Sequence, residues 1–209
     1  MHNKKIMIPN SVGVLEAQIS DSIEHFKLGL VLCHPHPQFG GTMTNNVTGK
    51  IFHHFSSLGY PCVRFNFRGV GASSGSYSNG VGERQDVKDV CNFFLKNKLQ
   101  LEKIIIIGYS FGAAIGSSIV DEISEICGFV AISYPFTFIP DFITSSYSNK
   151  PKLFIMGDQD DFTSIASFKR EYEKYPIPKN QEILEGINHF WNGKEELVIK
   201  KIEWWINLL

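Results

Sequence analysis

Short apolar segments with little charge alternate with amphipathic segments along most of the chain, and this alternation is the feature that most constrains the fold. Uninterrupted apolar character is typical of strands that are buried on both faces. Five such segments are present: KLGLVLCH (27–34), PCVRFNF (61–67), KIIIIG (103–108), GFVAIS (128–133) and KLFIMG (152–157). The sequence therefore predicts an α/β fold with a mostly parallel, doubly wound sheet and helices on both faces.

Two weaker strand patterns and five helical patterns complete this prediction. The helical patterns lie at 45–59, 82–98, 111–122, 164–175 and from about residue 194 onward. Residues 82–98 place apolar side chains on one helix face, and small residues predict a helix over 111–122. The alternating segment 12–19 is typical of an edge strand, and 181–186 predicts a last strand. Because functional residues of parallel sheets collect at the carboxyl ends of the strands, we expect the motifs below at one edge of the sheet.

Length and charge exclude several classes of protein. A chain of 209 residues without repeats, low-complexity tracts or linkers is expected to form a single domain over residues 1–209. The 21 acidic and 20 basic residues nearly balance and are not concentrated in a tail. This distribution argues against a nucleic-acid partner and against binding to a charged membrane surface.

Cysteine usage and hydropathy indicate a reduced, cytoplasmic setting. The N-terminal segment has too few apolar residues for a signal peptide. Glycine and serine interrupt the longest apolar stretch, 104–120, so we expect no membrane span. The four cysteines form no CxxC pair and have no metal-ligand spacing; they are Cys33, Cys62, Cys91 and Cys127.

The pentapeptide GYSFG (108–112) ends the KIIIIG segment and opens a helical pattern. It matches G-x-S-x-G, in which two glycines permit a tight strand-to-helix turn and the serine oxygen stands exposed at a helix N-terminus. The same residues could form a packing turn without a chemical role. The position between a buried strand and a helix favours Ser110 as a nucleophile and the Phe111 N–H as a donor to a developing oxyanion.

A serine nucleophile needs a base that an acid orients, and in doubly wound enzymes the order along the chain is serine, acid, histidine. His189 is the only histidine after the serine and lies beyond the last predicted strand, so we predict that it is the general base. The loop after the KLFIMG strand offers three acids. We select Asp160, with Asp161 as the second choice and Asp158 as a turn residue.

The segment HPHPQFGG (34–41) follows the first buried strand, where such enzymes place the second oxyanion donor. The donor must be a backbone N–H, which proline lacks, so His36, Gln38 or Phe39 remains. We take the first two as candidate donors and expect Phe39 to contact substrate. The two histidines could instead bind a metal, but no third ligand lies nearby, and we expect neither a metal nor a cofactor.

The glycine-rich segment RFNFRGVGASSG (64–75) could suggest dinucleotide binding. This interpretation is weak, because no helix begins at these glycines and no acid ends a following strand at the distance that a ribose requires. We expect a structural loop instead. In it, Arg68 would bind a neighbouring carboxylate, either Glu83 or Asp86.

Together these segments resemble the α/β-hydrolase superfamily, and in particular its compact branch without a cap domain, related to dienelactone-hydrolase-like and serine-aminopeptidase-like proteins. The resemblance rests on HPHPQFGGTMTNNV, RFNFRGVGASSG with GVGERQD, GYSFGA, GDQDDF and NHFW, which run from about residue 34 to residue 192. It implies an eight-stranded hydrolase sheet and a triad of Ser110, Asp160 and His189. Thr44 and Asn46 depart from the pattern of this family, which has an acidic residue at the first position and a basic residue at the second.

The segment YPFTFIPDFITSSYSNKP (134–151) separates two predicted strands and is too short for a substantial cap domain. Its phenylalanines, among them Phe136 and Phe138, either line an open acyl pocket or pack onto the sheet. We predict that both contact substrate, together with Phe39 and Tyr109.

These residues predict a serine hydrolase that acts on a small-molecule acyl substrate. Ser110 would attack a carboxylic ester or thioester and form an acyl-enzyme. Two alternatives stay open: an aminopeptidase or amidase, and a hydrolase-fold protein that binds a ligand without turnover.

Overall fold

The computed structural model of the chain describes residues 3–20, 26–98, 101–137 and 142–209. Within these ranges, eight strands form one sheet: β1 (Asn3–Asn10), β2 (Gly13–Ser20), β3 (Leu28–Cys33), β4 (Cys62–Phe65), β5 (Lys103–Tyr109), β6 (Ile126–Ile132), β7 (Lys152–Gly157) and β8 (Lys179–Leu184). The same ranges contain the helices α1 (Asn46–Ser57), α2 (Val81–Asn97), α3 (Phe111–Ser117), α4 (Ile165–Glu173) and α5 (Glu195–Ile206).

The sheet is parallel over most of its width. Its strands lie in the order β1-β2-β4-β3-β5-β6-β7-β8. Strands β3 to β8 run parallel to one another, whereas β2 pairs antiparallel with both β1 and β4. The predicted mostly parallel α/β sheet is therefore confirmed.

The isoleucines of β5 explain why the central strands are apolar throughout. Ile104 and Ile106 pack into one core cluster with side chains of α2, α3 and α4. Ile105 and Ile107 belong to the opposite cluster, which α1 and α5 cover. Because helices cover both faces, a charged side chain at any of these positions would lose its hydration.

The N-terminal strand β1 is not indicated by the sequence pattern. It forms a hairpin with β2 at the edge of the sheet. Ile8 is its one fully buried side chain, and two lysines stand among its first residues. An edge strand with so little apolar alternation leaves no periodic signal, since its backbone pairing with β2 decides its conformation.

Helix α3 ends earlier than predicted, at Ser117 instead of residue 122. The hydroxyls of Ser117 and Ser118 donate to the carbonyl oxygens of Ala114 and Ile115. Serine hydroxyls that bond to the preceding turn compete with regular helical hydrogen bonds. The helix therefore ends where the two serines begin.

A buried ion pair ties the loop after β4 to α2. The Arg68 guanidinium donates from Nη2 to Oδ1 of Asp86 at 2.7 Å, and the Arg68 backbone N–H donates to Oδ2 at 2.9 Å. Asn10 Nδ2 adds a further donor at 2.7 Å. Of the two carboxylates that the sequence offers, Asp86 is thus the partner, whereas Glu83 accepts N–H groups at the start of α2.

The substitution Asp86→Ala would leave the Arg68 guanidinium buried without its counter-charge. Removing one member of a buried pair costs about 3–5 kcal/mol, and we expect a loss of this size in the free energy of unfolding, measured by urea denaturation. Glu102→Ala is the matched control, because both members of its ion pair with Lys27 are exposed and such pairs contribute about 0–1 kcal/mol. A loss no larger than that of the control would contradict the structural role of the pair.

Candidate active site

Ser110 stands at the sharp turn between β5 and α3. Its backbone has φ 54° and ψ −119°, a conformation that L-residues rarely adopt. A Cβ on Gly108 would lie 2.3 Å from the carbonyl oxygen of Gly112, and a Cβ on Gly112 would lie 2.3 Å from that of Cys33. The two glycines of the motif are therefore required for the close approach of β5, α3 and β3.

The Ser110 hydroxyl meets the imidazole of His189, which comes from the loop between β8 and α5. The distance from Oγ to Nε2 is 3.0 Å, and Nδ1 lies 2.8 Å from Oδ2 of Asp160. His189 and Asp160 are both buried. The three side chains thus form one hydrogen-bonded chain, in which the carboxylate holds a proton on Nδ1 and leaves Nε2 to accept one from the serine.

Two backbone groups also hold the Asp160 carboxylate. Its Oδ1 accepts the N–H groups of Phe162 and Thr163 at 2.9 and 3.1 Å. Burial opposes ionisation, but the hydrogen bond and charge of His189 and the two N–H donors outweigh it, so the pKa of Asp160 lies below its ordinary value. The carboxyl is therefore ionised at neutral pH.

The neighbouring acids are placed differently from Asp160. Asp161 is exposed, and its carboxylate makes no hydrogen bond to any residue that the structure describes. Asp158 accepts the N–H of Gly186 at 2.7 Å and so joins two loops. The geometry brings Asp160 to His189 and leaves Asp158 in a turn.

Aromatic side chains anchor the loop that carries His189. The Tyr109 hydroxyl donates to the carbonyl oxygen of His189 at 2.8 Å, and Trp191 Nε1 donates to Oγ of Ser133 at 3.0 Å. Ser133 and Trp191 both have positive φ, 47° and 59°. Tyr109, which we expect at the substrate, thus also fixes the position of the histidine loop.

Helix α1 holds the same loop from the other side. Asn46 Nδ2 donates to the carbonyl oxygen of Phe190 at 3.0 Å and to Oε1 of Glu195 at 2.8 Å. Lys50 Nζ donates to Oε2 of this carboxylate at 2.9 Å. Burial opposes ionisation of Glu195, but these hydrogen bonds outweigh it and lower its pKa to about 2. The ionised carboxylate therefore links α1, α5 and the His189 loop.

His34 fixes the loop of residues 34–41 from the core side. Its Nε2 accepts the Phe67 N–H at 3.0 Å, so its proton lies on Nδ1, which donates to the Pro35 carbonyl oxygen at 2.6 Å. The ring is fully buried, and this burial lowers the pKa of His34 to about 4. His34 is therefore a neutral structural residue.

The candidate oxyanion donors of this loop differ in their hydrogen bonds. The Gln38 N–H donates to Nδ1 of His36 at 3.2 Å, and the Phe39 N–H donates to the His36 carbonyl oxygen at 3.1 Å. The N–H groups of His36 and Phe111 have no partner among the residues that the structure describes. Because its N–H is engaged, Gln38 is removed from the candidate donors, and His36 and Phe111 remain.

His34 and His36 are the two histidines of the 34–41 loop that could have been read as metal ligands. His34 uses both ring nitrogens, and His36 Nε2 lies 3.2 Å from the Tyr77 hydroxyl. Across the described ranges, no three His, Cys, Asp or Glu side chains are grouped so that they could hold a metal ion.

Among the residues that the structure describes, no helix has the length and apolar character needed to cross a membrane.

A cleft of about 360 Å³ opens over Ser110. Tyr109, Phe39, Phe162 and Phe190 give it aromatic walls, and no aspartate or glutamate is among the described residues that line it. Phe39 is 85% exposed and Phe190 is 50% exposed. The cleft therefore has an apolar rim that faces solvent.

Phe136 does not line this cleft, and the sequence prediction for it is wrong. Its ring is buried and stacks on Tyr134 at a centroid distance of 4.3 Å, with Phe154 on the sheet 6.2 Å away. Phe142 belongs to the same core cluster. The segment therefore follows the other alternative, packing onto the sheet. Apolar rings bury more surface against the sheet than they would in an open cleft. Phe138 lies outside the described residues.

Phe162 and Phe190 are cleft residues that the sequence analysis did not identify. Their ring centroids lie 4.4 and 5.7 Å from that of His189. Phe162 follows Asp160 by two residues, and Phe190 directly follows the histidine. This adjacency is the only sequence signal that could have indicated them.

The low pKa of Glu195 predicts a pH-dependent contribution to stability. Its ordinary pKa of 4.5 applies to the unfolded chain, so the unfolded state binds the proton first as pH falls. The stabilisation is complete above pH 4.5 and is lost as the pH falls towards 2. We expect Glu195→Gln to be less stable than the wild type at pH 7, with a difference that shrinks in this window, as measured by urea denaturation.

The control for this experiment is Glu196→Gln, because Glu196 is the exposed neighbour on the same helix turn. Its stability should follow that of the wild type at every pH. A difference between the wild type and Glu195→Gln that does not change between pH 7 and pH 3 would contradict the assigned ion pair.

Comparison with known proteins agrees with this fold. A family model described as alpha/beta hydrolase fold matches residues 30–132. An uncharacterized protein of Rickettsia prowazekii is 34% identical over 182 residues, which cover 84% of this chain and 76% of that protein.

Two solved structures extend the similarity to the whole fold. An α/β serine hydrolase homologue from Coxiella burnetii is 32% identical, with a TM-score of 0.86 over 96% of this chain and 95% of that chain. A serine hydrolase without a lid from Xanthomonas campestris is 24% identical and matches the fold with a TM-score of 0.87 over 99% and 94% of the two chains. With its parallel sheet, its strained serine turn and these relatives, the chain belongs to the α/β-hydrolase superfamily.

Proposed function

We propose that the chain is a serine hydrolase that cleaves a carboxylic ester or thioester through an acyl-enzyme on Ser110. The observation that carries this proposal is the hydrogen-bonded chain from Ser110 through His189 to Asp160, which starts at a strained strand-to-helix turn and opens into the cleft. A packing turn would need neither the buried histidine nor the ionised acid behind it.

In the proposed reaction, Ser110 Oγ attacks the carbonyl carbon while Nε2 of His189 takes its proton. The imidazolium that forms is stabilised by the carboxylate of Asp160. His189 then returns the proton to the leaving alcohol or thiol, and the acyl group stays on the serine. A water molecule, deprotonated by the same Nε2, then attacks the acyl carbon. The bond from the acyl carbon to Oγ breaks, His189 returns the proton to Oγ of Ser110, and the acid is released.

The developing oxyanion would be held by the N–H groups of Phe111 and His36. The support for this assignment is that both groups lack a partner among the described residues, whereas the Gln38 N–H is engaged. Backbone donors that are fixed before the reaction begins do not have to reorganise, and each contributes about 10²–10³-fold to the rate.

The cleft favours an apolar acyl substrate over a peptide with a free amino terminus. Aromatic rings form its walls, and its described lining has no carboxylate that could bind an ammonium group. This observation supports the esterase or thioesterase alternative rather than an aminopeptidase. The four free cysteines support a reducing compartment such as the cytoplasm.

A fluorophosphonate probe separates an enzyme from a non-catalytic binding protein. We expect the folded wild-type chain to be labelled at Ser110, and Ser110→Ala to lose both the labelling and the hydrolysis of p-nitrophenyl butyrate. Mass spectrometry of the labelled peptide identifies the site. A wild-type chain that remains folded by circular dichroism but is not labelled would refute the enzymatic function.

Adjacent aspartates provide a matched test of the acid. Asp160→Asn should lower kcat by about 10³–10⁴-fold, since the amide no longer holds the required tautomer of His189. Asp161→Asn, which changes an exposed carboxylate one residue away, should leave kcat within about twofold. Equal losses in the two variants, measured with p-nitrophenyl butyrate, would argue against the role of Asp160.

The exposed ring of Phe39 gives a prediction for substrate binding. Phe39→Ala should raise KM for p-nitrophenyl hexanoate by about three- to tenfold, because roughly 1 kcal/mol of apolar contact with the acyl chain is lost. The effect should be smaller for p-nitrophenyl acetate, whose acyl chain is too short to reach the rim. Trp204→Ala removes an aromatic ring on α5 that is 43% exposed, and it serves as the control. Equal changes in KM for both esters would contradict the contact.

A further inference from the structure

A second cavity of about 220 Å³ lies beside the catalytic cleft, along one face of α1. Its lining carries three basic side chains, Lys50, His53 and Arg64, together with the amide side chain of Asn46. Asn45 lines both this cavity and the catalytic cleft. The two spaces therefore adjoin at Asn45.

Arg64 is the unusual member of this lining. It projects from β4 with only 5% of its surface exposed. Its guanidinium donates to the neutral oxygens of Gln18 and Met43, and it lies 4.4 Å from the ring centre of Phe52. No carboxylate among the described residues forms an ion pair with it, so its positive charge is buried without a counter-charge.

The hydrogen bonds of Arg64 do not use all of its donors. A guanidinium has five N–H groups. The three hydrogen bonds to Gln18 and Met43 leave one N–H on each terminal nitrogen without a partner in the described part of the chain. A planar pair of free N–H groups matches two oxygens of a carboxylate or phosphate.

Arg68, in the same segment as Arg64, is a buried arginine whose charge is balanced by a carboxylate. Arg68 lies four residues on and is bound by the buried carboxylate of Asp86. Burial lowers the pKa of Arg64, whereas the hydrogen bond with Asp86 raises that of Arg68. A buried cation without such a partner is costly unless a ligand supplies the negative charge.

The other basic groups leave the cavity with a net positive charge. Lys50 is balanced by Glu195, which is bound behind it and does not line the cavity. Burial and the charge of Arg64 lower the pKa of His53, which is then a neutral N–H donor at pH 7. Gly49 leaves one side of the Arg64 guanidinium uncovered, since a Cβ there would lie 3.4 Å from Nη1, in ordinary van der Waals contact.

We propose that this cavity binds an anionic oxygen group, a carboxylate or a phosphate, that is carried by the substrate of the adjoining cleft. Arg64 would bind two of its oxygens, and His53 would donate from the side. The substrate is then an ester or thioester with an acidic group a short distance from the reacting carbonyl. This substrate class rests on the proposed hydrolase function, whereas anion binding in the cavity does not.

Anion binding can be measured without catalysis. We would titrate the ¹⁵N-labelled full chain at pH 7 with inorganic phosphate and, in parallel, with chloride at the same ionic strength, and follow amide shifts in two-dimensional NMR spectra. Saturable shifts of residues 44–50 with phosphate alone are expected. Their absence would overturn the proposed anion site.

Thr44 offers a matched pair of variants, since it is an exposed residue on the cavity lining. Thr44→Asp adds a carboxylate that can pair with Arg64, and Thr44→Asn adds a neutral side chain of nearly the same size. Thr44→Asp should weaken phosphate binding at least about tenfold relative to Thr44→Asn, because it supplies the missing counter-charge. Equal binding by the two variants would contradict the role of Arg64.

Matched esters then test whether the anion belongs to the substrate. One pair is p-nitrophenyl butyrate with mono-p-nitrophenyl succinate, and the other is phenyl butyrate with 4-carboxyphenyl butyrate. For each pair, we would divide kcat/KM of the acidic ester by kcat/KM of the neutral ester. For at least one pair, this ratio should be about tenfold lower in Thr44→Asp than in Thr44→Asn. Saturable phosphate binding with no change in either ratio would mean that the site takes a free anion, and would refute the substrate class.

Failure of the hydrolase function gives a different result. The wild-type chain would then neither react with the fluorophosphonate nor cleave the neutral esters, while phosphate would still bind and the two Thr44 variants would still differ. That outcome would refute the substrate class and uphold the anion site.

Discussion

The close approach of three backbone segments at the serine turn is the constraint on which the rest of the site depends. Gly112 lies against the carbonyl oxygens of Cys33 and His34, and Gly108 lies against the first turn of α3. A side chain at either glycine would push α3 away from the end of β3. The Phe111 N–H, the Ser110 hydroxyl and the loop that carries His36 would then no longer share one cleft. A tight contact between main-chain atoms, rather than any single side chain, therefore sets the geometry.

Strained backbone at this edge of the sheet is supported by buried hydrogen bonds. Ser110, Ser133 and Trp191 all have positive φ, a conformation that costs of the order of 1 kcal/mol or more for a residue other than glycine. Each lies next to a fixed polar contact, such as the bond from Trp191 to Ser133. Glu195 ties the same loop to α1. The same carboxylate balances Lys50, so the support of the histidine loop and the charge of the second cavity are physically connected.

Much of the fold and part of the site could be predicted from local pattern. Apolar strands with helices between them predict a parallel sheet, and motifs that follow strands predict a common edge. The place of Asp160 after β7 predicts it as the acid, and its Oδ2 lies 2.8 Å from Nδ1 of His189. Positions that depend on contacts between distant segments could not be predicted. Phe136 packs on Phe154 instead of lining the cleft, and β1 is set by its pairing with β2.

The amino-acid sequence by itself determined the class of fold, the serine turn and the order of the serine, acid and histidine, because these follow from periodicity and from short motifs. Tertiary contacts are needed to decide which N–H groups of the 34–41 loop are engaged by described residues and which of two arginines is neutralised. Arg64 and Arg68 stand in one segment and look alike in sequence. Their difference arises because Asp86, from another part of the chain, reaches one guanidinium and not the other. Hydrogen-bond partners and counter-charges are long-range properties that a local pattern does not contain.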